Sequence, residues 1–280
     1  MRSRVVALLG ALLVVSGCAA SGSASPAPFT PGSSVHTIGS GGVDRVYRLY
    51  IPAGVPPTAP LVVMLHGGFG SAAQAERAYG WNQLADSAKF VVAYPDGLGR
   101  AWNSGGGCCG GPSRDDVDDV GFITTAVRDI ASNFGIDPAR IYATGISNGG
   151  MMTYRLACES AVFAAIGPDS AALLDACPAP HPTSVLHIHG TADQMIRYDG
   201  EPGIGFARID GPPVLDVNAF WRDVDRCAPP ATTVDGSVTT SVADCPGGRS
   251  AELVTVAGGG HEWPSLATRM FWDFFVAHPG

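Results

Sequence analysis

The pentapeptide Gly145-Ile146-Ser147-Asn148-Gly149 sets a serine between glycines in a G-x-S-x-G pattern. Such a serine acts as a nucleophile only at a sharp strand-to-helix turn. The backbone there is strained and closely packed and admits only small neighbours. The flanking sequence has that form, since Arg140–Gly145 reads as a strand and Asn148–Ala157 as a helix. Ser147 is therefore the candidate nucleophile, and a hydroxyl needs a base to activate it. His261 follows the last predicted strand in Gly258-Gly259-Gly260-His261-Glu262-Trp263-Pro264, where the glycines let the loop carry an imidazole over the sheet edge. Asp193 closes His187-Ile188-His189-Gly190-Thr191-Ala192-Asp193 after another apolar strand, placed to orient that imidazole and stabilise its charged form. The chemistry expected of the three is acyl transfer through an acyl-enzyme on Ser147. His181, His187 and His189 are rival bases, but His187 and His189 alternate within a strand as structural histidines do. Asp199, Asp210 and Asp216 are rival acids lying beyond the expected strand end.

The developing oxyanion needs two backbone donors. One is the N–H of Asn148, directly after the nucleophile. The other is assigned to Gly68 in Leu65-His66-Gly67-Gly68-Phe69, the glycine loop after an early strand. His66 is read as shaping this loop and not as a catalyst. These residues need a scaffold, and the chain alternates strand and helix almost throughout. Strands are expected at Asp44–Ile51, Pro60–His66, Phe90–Tyr94, Arg140–Gly145, Phe163–Gly167, Ser184–His189 and Ala251–Val256. Helices are expected at Ala73–Ala88, Val117–Phe134, Asn148–Ala157, Pro213–Val224 and Leu266–Ala277. This order implies an α/β fold of the α/β-hydrolase type, a mostly parallel sheet flanked by helices. The chain order Ser147, Asp193, His261 agrees with it. Asp118 and Asp119 precede the long helix and suit its positive end.

A formal net charge of -8, with Lys89 the sole lysine, gives no basic stripe for nucleic acid or for electrostatic membrane binding. The N-terminus reads differently from the rest. Arg2 and Arg4 precede an apolar run, Val5–Val15, too short to span a bilayer. It ends in Val15-Ser16-Gly17-Cys18, which resembles a lipobox, so 1–17 is read as a signal peptide and Cys18 as the lipidated first residue of the mature chain. Residues 18–34 are Ser/Ala/Pro/Gly-rich and read as a tether, leaving 35–280 as one catalytic domain. The protein is thus expected to be exported, lipid-anchored at the outer face of the cell membrane or secreted, meeting the membrane only through its anchor.

Six cysteines remain, an even number suited to disulfides in an exported protein. Cys227 and Cys245 flank one short polar segment and are paired first, then Cys158 with Cys177, leaving the adjacent Cys108 and Cys109. The count alone leaves the connectivity open. No CxxC spacing or nearby histidine indicates a metal, so neither metal nor cofactor is expected.

Beyond single motifs, residues 44–275 resemble the esterases that group polyhydroxybutyrate depolymerases with feruloyl and acetylxylan esterases. The matching stretches are LHGGFGS (65–71), WNSGGGCCG (102–110), VDDVGFI (117–123), IDPARIYATGISNGGMMTYRLAC (136–158), HIHGTAD (187–193) and GGGHEWP (258–264). The resemblance implies hydrolysis of small or polymer-displayed esters (short-acyl, hydroxyalkanoate or hydroxycinnamoyl) without a cofactor. It also implies that Trp102, Asn103 and Trp263 border the substrate cleft. The same triad also serves peptidases and acyltransferases, and a non-catalytic surface-binding lipoprotein is the reading from another class. No segment is long enough for a large lid. About fifteen residues separate the strand ending near Pro168 from that starting near Ser184, and Tyr198–Pro212 is a Gly/Pro-rich loop. The cleft is expected to be open and shallow, with few apolar walls.

Overall fold

The computed structural model describes residues 30–205 and 208–280. The proposed signal peptide, Cys18 and most of the tether lie outside them. Among the described residues, ten strands form one sheet: β1 (Gly32–Ser40), β2 (Val43–Ile51), β3 (Ala59–Leu65), β4 (Val91–Pro95), β5 (Ile136–Ile146), β6 (Ala165–Asp169), β7 (Ser184–Gly190), β8 (Ala231–Asp235), β9 (Val238–Cys245) and β10 (Arg249–Val256). Their spatial order is β1-β2-β4-β3-β5-β6-β7-β10-β9-β8. The central block from β4 to β10 is parallel, and an antiparallel pair closes each edge. This is the α/β-hydrolase architecture expected from the alternation of elements.

The central strands are apolar on both faces because helices cover both. Along β3, Leu61, Val63 and Leu65 enter one core while Val62 and Met64 enter the other. The first core is closed by α4 (Asp119–Asn133), α5 (Asn148–Glu159) and α6 (Val214–Asp225). The second is closed by α1 (Ala72–Ala78), α2 (Trp81–Ala88) and α7 (Ala267–Ala277). Phe271 and Phe275 of α7 are fully buried, each contributing roughly 1.5–3 kcal/mol. Phe271 lies so close to β6 that a Cβ at Gly167 would sit 2.5 Å from its ring.

Several elements differ from expectation. β1 starts at Gly32, so the last three residues of the expected tether belong to the sheet. The single helix read over Ala73–Ala88 is two, broken at Gly80, whose φ of 72° is left-handed. The polar segment between Cys227 and Cys245 contains the β8–β9 hairpin; its outer strand is exposed throughout and so lacks an apolar signature. A short helix, α3 (Gly110–Arg114), also went unread.

Of the two acids at the start of α4, Asp118 caps the helix, accepting from the Gly121 N–H at 2.7 Å. Asp119 does something else. It is buried against Arg45 of β2 at 2.6 Å and also accepts from the Asn103 N–H at 2.8 Å. Burial pushes its carboxyl pKa up, partly offset by the Asn103 and Arg45 bonds. The pair joins sheet to loop, and removing either partner strands a buried charge.

Among the described residues the disulfides are Cys108–Cys109, Cys158–Cys177 and Cys227–Cys245, the pairs favoured from sequence. Cys227–Cys245 joins the end of α6 to the end of β9 across 18 residues. Closing a loop of that length in the unfolded chain is worth about 3 kcal/mol. The double substitution Cys227→Ala/Cys245→Ala should therefore lower the urea midpoint by that equivalent, leaving the far-ultraviolet circular dichroism below the transition unchanged. An unaltered midpoint would show that this bridge does not constrain the unfolded chain.

Candidate active site

Ser147 occupies the turn between β5 and α5 with φ 57° and ψ −125°, a region that side-chain-bearing residues rarely enter. Its neighbours explain how the turn is held. A Cβ on Gly149 would fall 2.4 Å from the Leu65 carbonyl oxygen and 2.6 Å from that of His66. A Cβ on Gly145 would fall 2.6 Å from the Gly149 carbonyl carbon, and one on Gly150 would fall 2.8 Å from the Asp169 carbonyl oxygen. These contacts are with backbone, which cannot rotate away. The Ser147 N–H donates to the Asp169 carbonyl at 2.9 Å, tying the turn to β6.

The glycine loop after β3 packs on this turn. A Cβ on Gly67 would lie 3.6 Å from Ser147 Cβ, and one on Gly68 would lie 3.9 Å from Asn148 Cβ. The Gly68 N–H has no partner among the described residues, and Asn148 opens α5, where first-turn N–H groups lack helical acceptors. The loop is braced from behind by His66, which is fully buried. Its Nδ1–H donates to the Gly67 carbonyl at 2.8 Å, and its Nε2 accepts from the Gly97 N–H at 3.0 Å. Burial lowers its pKa and keeps it neutral, as this bonding requires. His66 shapes the loop, as read from sequence.

Asp193 and His261 are brought together by two interlocked loops. Thr191 N–H donates to the Val256 carbonyl at 3.0 Å and Ala192 N–H to the Gly259 carbonyl at 2.9 Å. The approach is so close that a Cβ on Gly190 would lie 2.3 Å from the Gly259 carbonyl oxygen. His261 Nδ1 then meets Asp193 Oδ2 at 2.7 Å. Burial alone would raise the Asp193 pKa. The bonds from His261 and from the N–H groups of Ile196 (2.9 Å) and Met195 (2.8 Å) hold it below the usual carboxylate value. With Nδ1–H donated to that carboxylate, Nε2 of His261 is left as an acceptor. Ser147 and His261 line one cavity, with no direct hydrogen bond between them.

His187 and His189 are buried structural residues. His189 Nε2–H donates to the Ile196 carbonyl at 2.8 Å, so its Nδ1 must accept. The donor is His187 Nε2–H at 3.0 Å, and His187 Nδ1 in turn accepts from the Tyr154 hydroxyl at 2.9 Å. Burial lowers both histidine pKa values, with repulsion from His189 adding to the fall at His187, and the Ile196 carbonyl and Asp193 offsetting part of it at His189. This neutral chain supports the loop that carries Asp193. Asp199 pairs with Arg197 at the surface, and Asp210 and Asp216 are exposed.

The cavity over Ser147 is about 510 Å³. Its apolar walls are Phe69, Met151, Met195, Ile196, Ile204 and Ile209, so the expectation of few apolar walls is corrected. Most of these come from loops in which isolated apolar residues show no period, which is why sequence patterning misses them. Residues 170–183 contain no helix, and no lid covers the site there.

Trp102, Asn103 and Trp263 are not cleft walls. Trp102 is fully buried, its Nε1–H donating to the His66 carbonyl at 2.8 Å. Asn103 is buried and its amide donates to the Val117 carbonyl at 3.1 Å. Trp263 packs on Tyr79, donates to Thr268 Oγ1 at 2.9 Å and borders a different surface cavity. All three support the site from outside it. A role that sequence did not suggest is that of the Asn148 side chain. It accepts from the Trp102 N–H at 2.7 Å and donates to the Trp102 carbonyl at 3.0 Å, clamping 102–104 to the nucleophile turn.

Asp169, at the end of β6, is a second carboxyl fully buried behind the site. Burial pushes its pKa well up. The nearby Ser170 hydroxyl offsets part of this, without a hydrogen bond of ordinary geometry to either oxygen, and the charges of Asp193 and Glu262 add to the rise. A raised carboxyl pKa means that the folded state holds a proton the unfolded chain releases. Its contribution to stability therefore falls as pH rises above the unfolded value of about 3.9. Asp169→Asn, neutral at every pH, removes this loss. The difference in thermal midpoint between variant and wild type should shift in the variant's favour from about pH 4 to about pH 8. A difference independent of pH would show that Asp169 is charged when folded.

Known proteins match this fold and sequence. The family described as Esterase PHB depolymerase matches residues 45–195. The chain is 32% identical over 234 residues to Feruloyl esterase B of Piromyces equi, covering 77% of this chain and 41% of that protein. It is 29% identical over 280 residues to Feruloyl esterase C of Emericella nidulans, covering 89% of this chain and 94% of that one. In structure, acetyl xylan esterase from Aspergillus awamori superposes with a TM-score of 0.67 at 16% identity, covering 87% of this chain and 99% of that one. At that identity the likeness speaks for the fold.

Proposed function

Because the chain belongs to the Esterase PHB depolymerase family and is an esterase, we propose that it hydrolyses carboxylic esters through an acyl-enzyme on Ser147. The observation that carries this reading is a serine at positive φ opening α5, in one cavity with an imidazole held by a buried carboxylate. His261 Nε2 takes the Ser147 proton as Oγ attacks the ester carbonyl. The N–H groups of Gly68 and Asn148 receive the oxyanion, and Asp193 stabilises the imidazolium. His261 then protonates the leaving alcohol, and a water activated by the same ring frees the acid and restores Ser147.

For substrates we propose short-acyl, hydroxyalkanoate or hydroxycinnamoyl esters, the classes that the names of the relatives indicate. The apolar cavity suits one short or planar group. Ser147→Ala should lower kcat by about a thousandfold or more without unfolding the protein. In wild type, kcat/KM should be higher for acetyl, butyryl and feruloyl esters than for lauroyl esters, with no jump in rate at a lipid–water interface. Retention of a near-normal rate by Ser147→Ala would remove the mechanism, and interfacial activation would mean that a lid covers the site.

For location we propose export through residues 1–17, with Cys18 lipidated and 18–31 as tether to the domain. The support is the basic, apolar and small-residue pattern ending on Cys18. The full-length protein should partition into the detergent phase of membrane extracts, and Cys18→Ser should not. Native protein wholly in the aqueous phase would rule out the anchor.

A further inference from the structure

The cavity over Ser147 does not end at its apolar walls. It shares Cys109, Gly110, Arg208 and Ile209 with a second cavity of about 370 Å³, whose lining also includes Arg114, Leu174 and Asp210. Two arginines and one aspartate thus line this annex.

The chain is acidic overall, and seven of the twelve other described arginines (Arg45, Arg48, Arg140, Arg155, Arg197, Arg249 and Arg269) are in ion pairs with carboxylates, while Arg77, Arg222 and Arg226 have neither an ion pair nor a side-chain hydrogen bond. Arg114 and Arg208 form neither ion pair nor hydrogen bond among the described residues, and both are exposed. Asp210 lines the same space without an ion pair to either. Asp175, nearby, is occupied by the Gly106 N–H at 2.8 Å. Two unpaired cations beside one opening repel each other, and an anion between them relieves that repulsion. A guanidinium fork fits a carboxylate with two parallel hydrogen bonds.

We propose that Arg114 and Arg208 form an anionic subsite of the ester cleft, selecting hydroxy-acid oligoesters that end in a free carboxylate. The proposal rests on the reading of Ser147 as the esterase nucleophile. The scissile ester lies over Ser147, the intervening chain runs along Met151 and Ile209, and the terminal carboxylate reaches the arginines. The chemistry of such substrates is self-renewing. Water cleaves the ester into an alcohol and an acid, and the acid is a new carboxylate end on the remaining fragment. Each turnover then supplies the group that the annex binds, so the enzyme shortens oligomers from the carboxyl end.

The test compares the linear dimer of 3-hydroxybutyrate as the free acid with its methyl ester, using 4-nitrophenyl butyrate as a control without a carboxylate. Wild type should show kcat/KM about tenfold higher for the free acid, the scale of one or two partly exposed charge-assisted hydrogen bonds. Arg114→Gln/Arg208→Gln should abolish this preference through KM for the free acid, and Arg114→Gln alone, outside the Ser147 cavity, should reduce it with kcat and the rate on 4-nitrophenyl butyrate unchanged. Equal rates on both dimers in wild type would overturn the subsite, as would a preference that survives in the double variant. Cleavage of 4-nitrophenyl butyrate with neither dimer cleaved overturns the subsite alone. Failure to cleave any of the three overturns the Ser147 reading and the subsite with it.

Discussion

The site depends on one packing constraint. Ser147 adopts a backbone conformation that disfavours any side chain, and it is held there because β3, β5, β6 and α5 converge with no room for a Cβ at Gly145, Gly149 or Gly150. The strain at one residue is stabilised by close contact at three. The same convergence sets the Gly67–Gly68 loop against the first turn of α5, so the proposed nucleophile and the proposed oxyanion donors share one support. A sheet apolar on both faces is needed for this, since strands so crowded require helices above and below to hold them.

A second constraint operates at the opposite side of the cleft. Asp193 and His261 sit on loops after β7 and β10, adjacent parallel strands far apart in sequence. Backbone hydrogen bonds between those loops, and the contact of Gly190 with Gly259, fix carboxylate and imidazole together before any substrate arrives. Such preorganisation is what makes electrostatic stabilisation effective, because little reorganisation remains when charge develops. The Arg45–Asp119 pair extends the same principle outward. It holds the Asn103 backbone, and the Asn148 side chain holds that of Trp102, so the loop walling one end of the cleft is fixed at adjacent residues.

The central strands and the spacing of Ser147, Asp193 and His261 were legible in the sequence because each is a local pattern. Buried parallel strands read as short apolar runs, and a strained turn reads as glycines around a serine. The outlying strands β1, β8 and β9 were not legible, since β8 is exposed throughout and β1 and β9 are mostly only half-buried, so none shows a strongly apolar face. The tether boundary was misplaced for the same reason: Gly32, Ser33 and Ser34 are polar and small, yet lie in β1. The cleft walls were the largest gap. Phe69, Met195 and Ile204 are isolated in loops, and only the fold brings them together. The family resemblance placed Trp102 and Trp263 at the cleft, but both are packing groups whose indole N–H bonds are made outside it.

The hydrogen-bonded row Tyr154–His187–His189–Ile196 has a direction. Every donor in it points toward the Asp193 loop, ending on a backbone carbonyl. Burial lowers the pKa of both rings, so the row stays neutral. The two ring N–H groups are also sealed from water by the surrounding core. In hydrogen-exchange terms they belong with the most protected amides of the sheet, trading protons with solvent only when that part of the protein opens. Three imidazoles thus lie within a short span of one another, and the fold insulates two from the solvent that the third must meet.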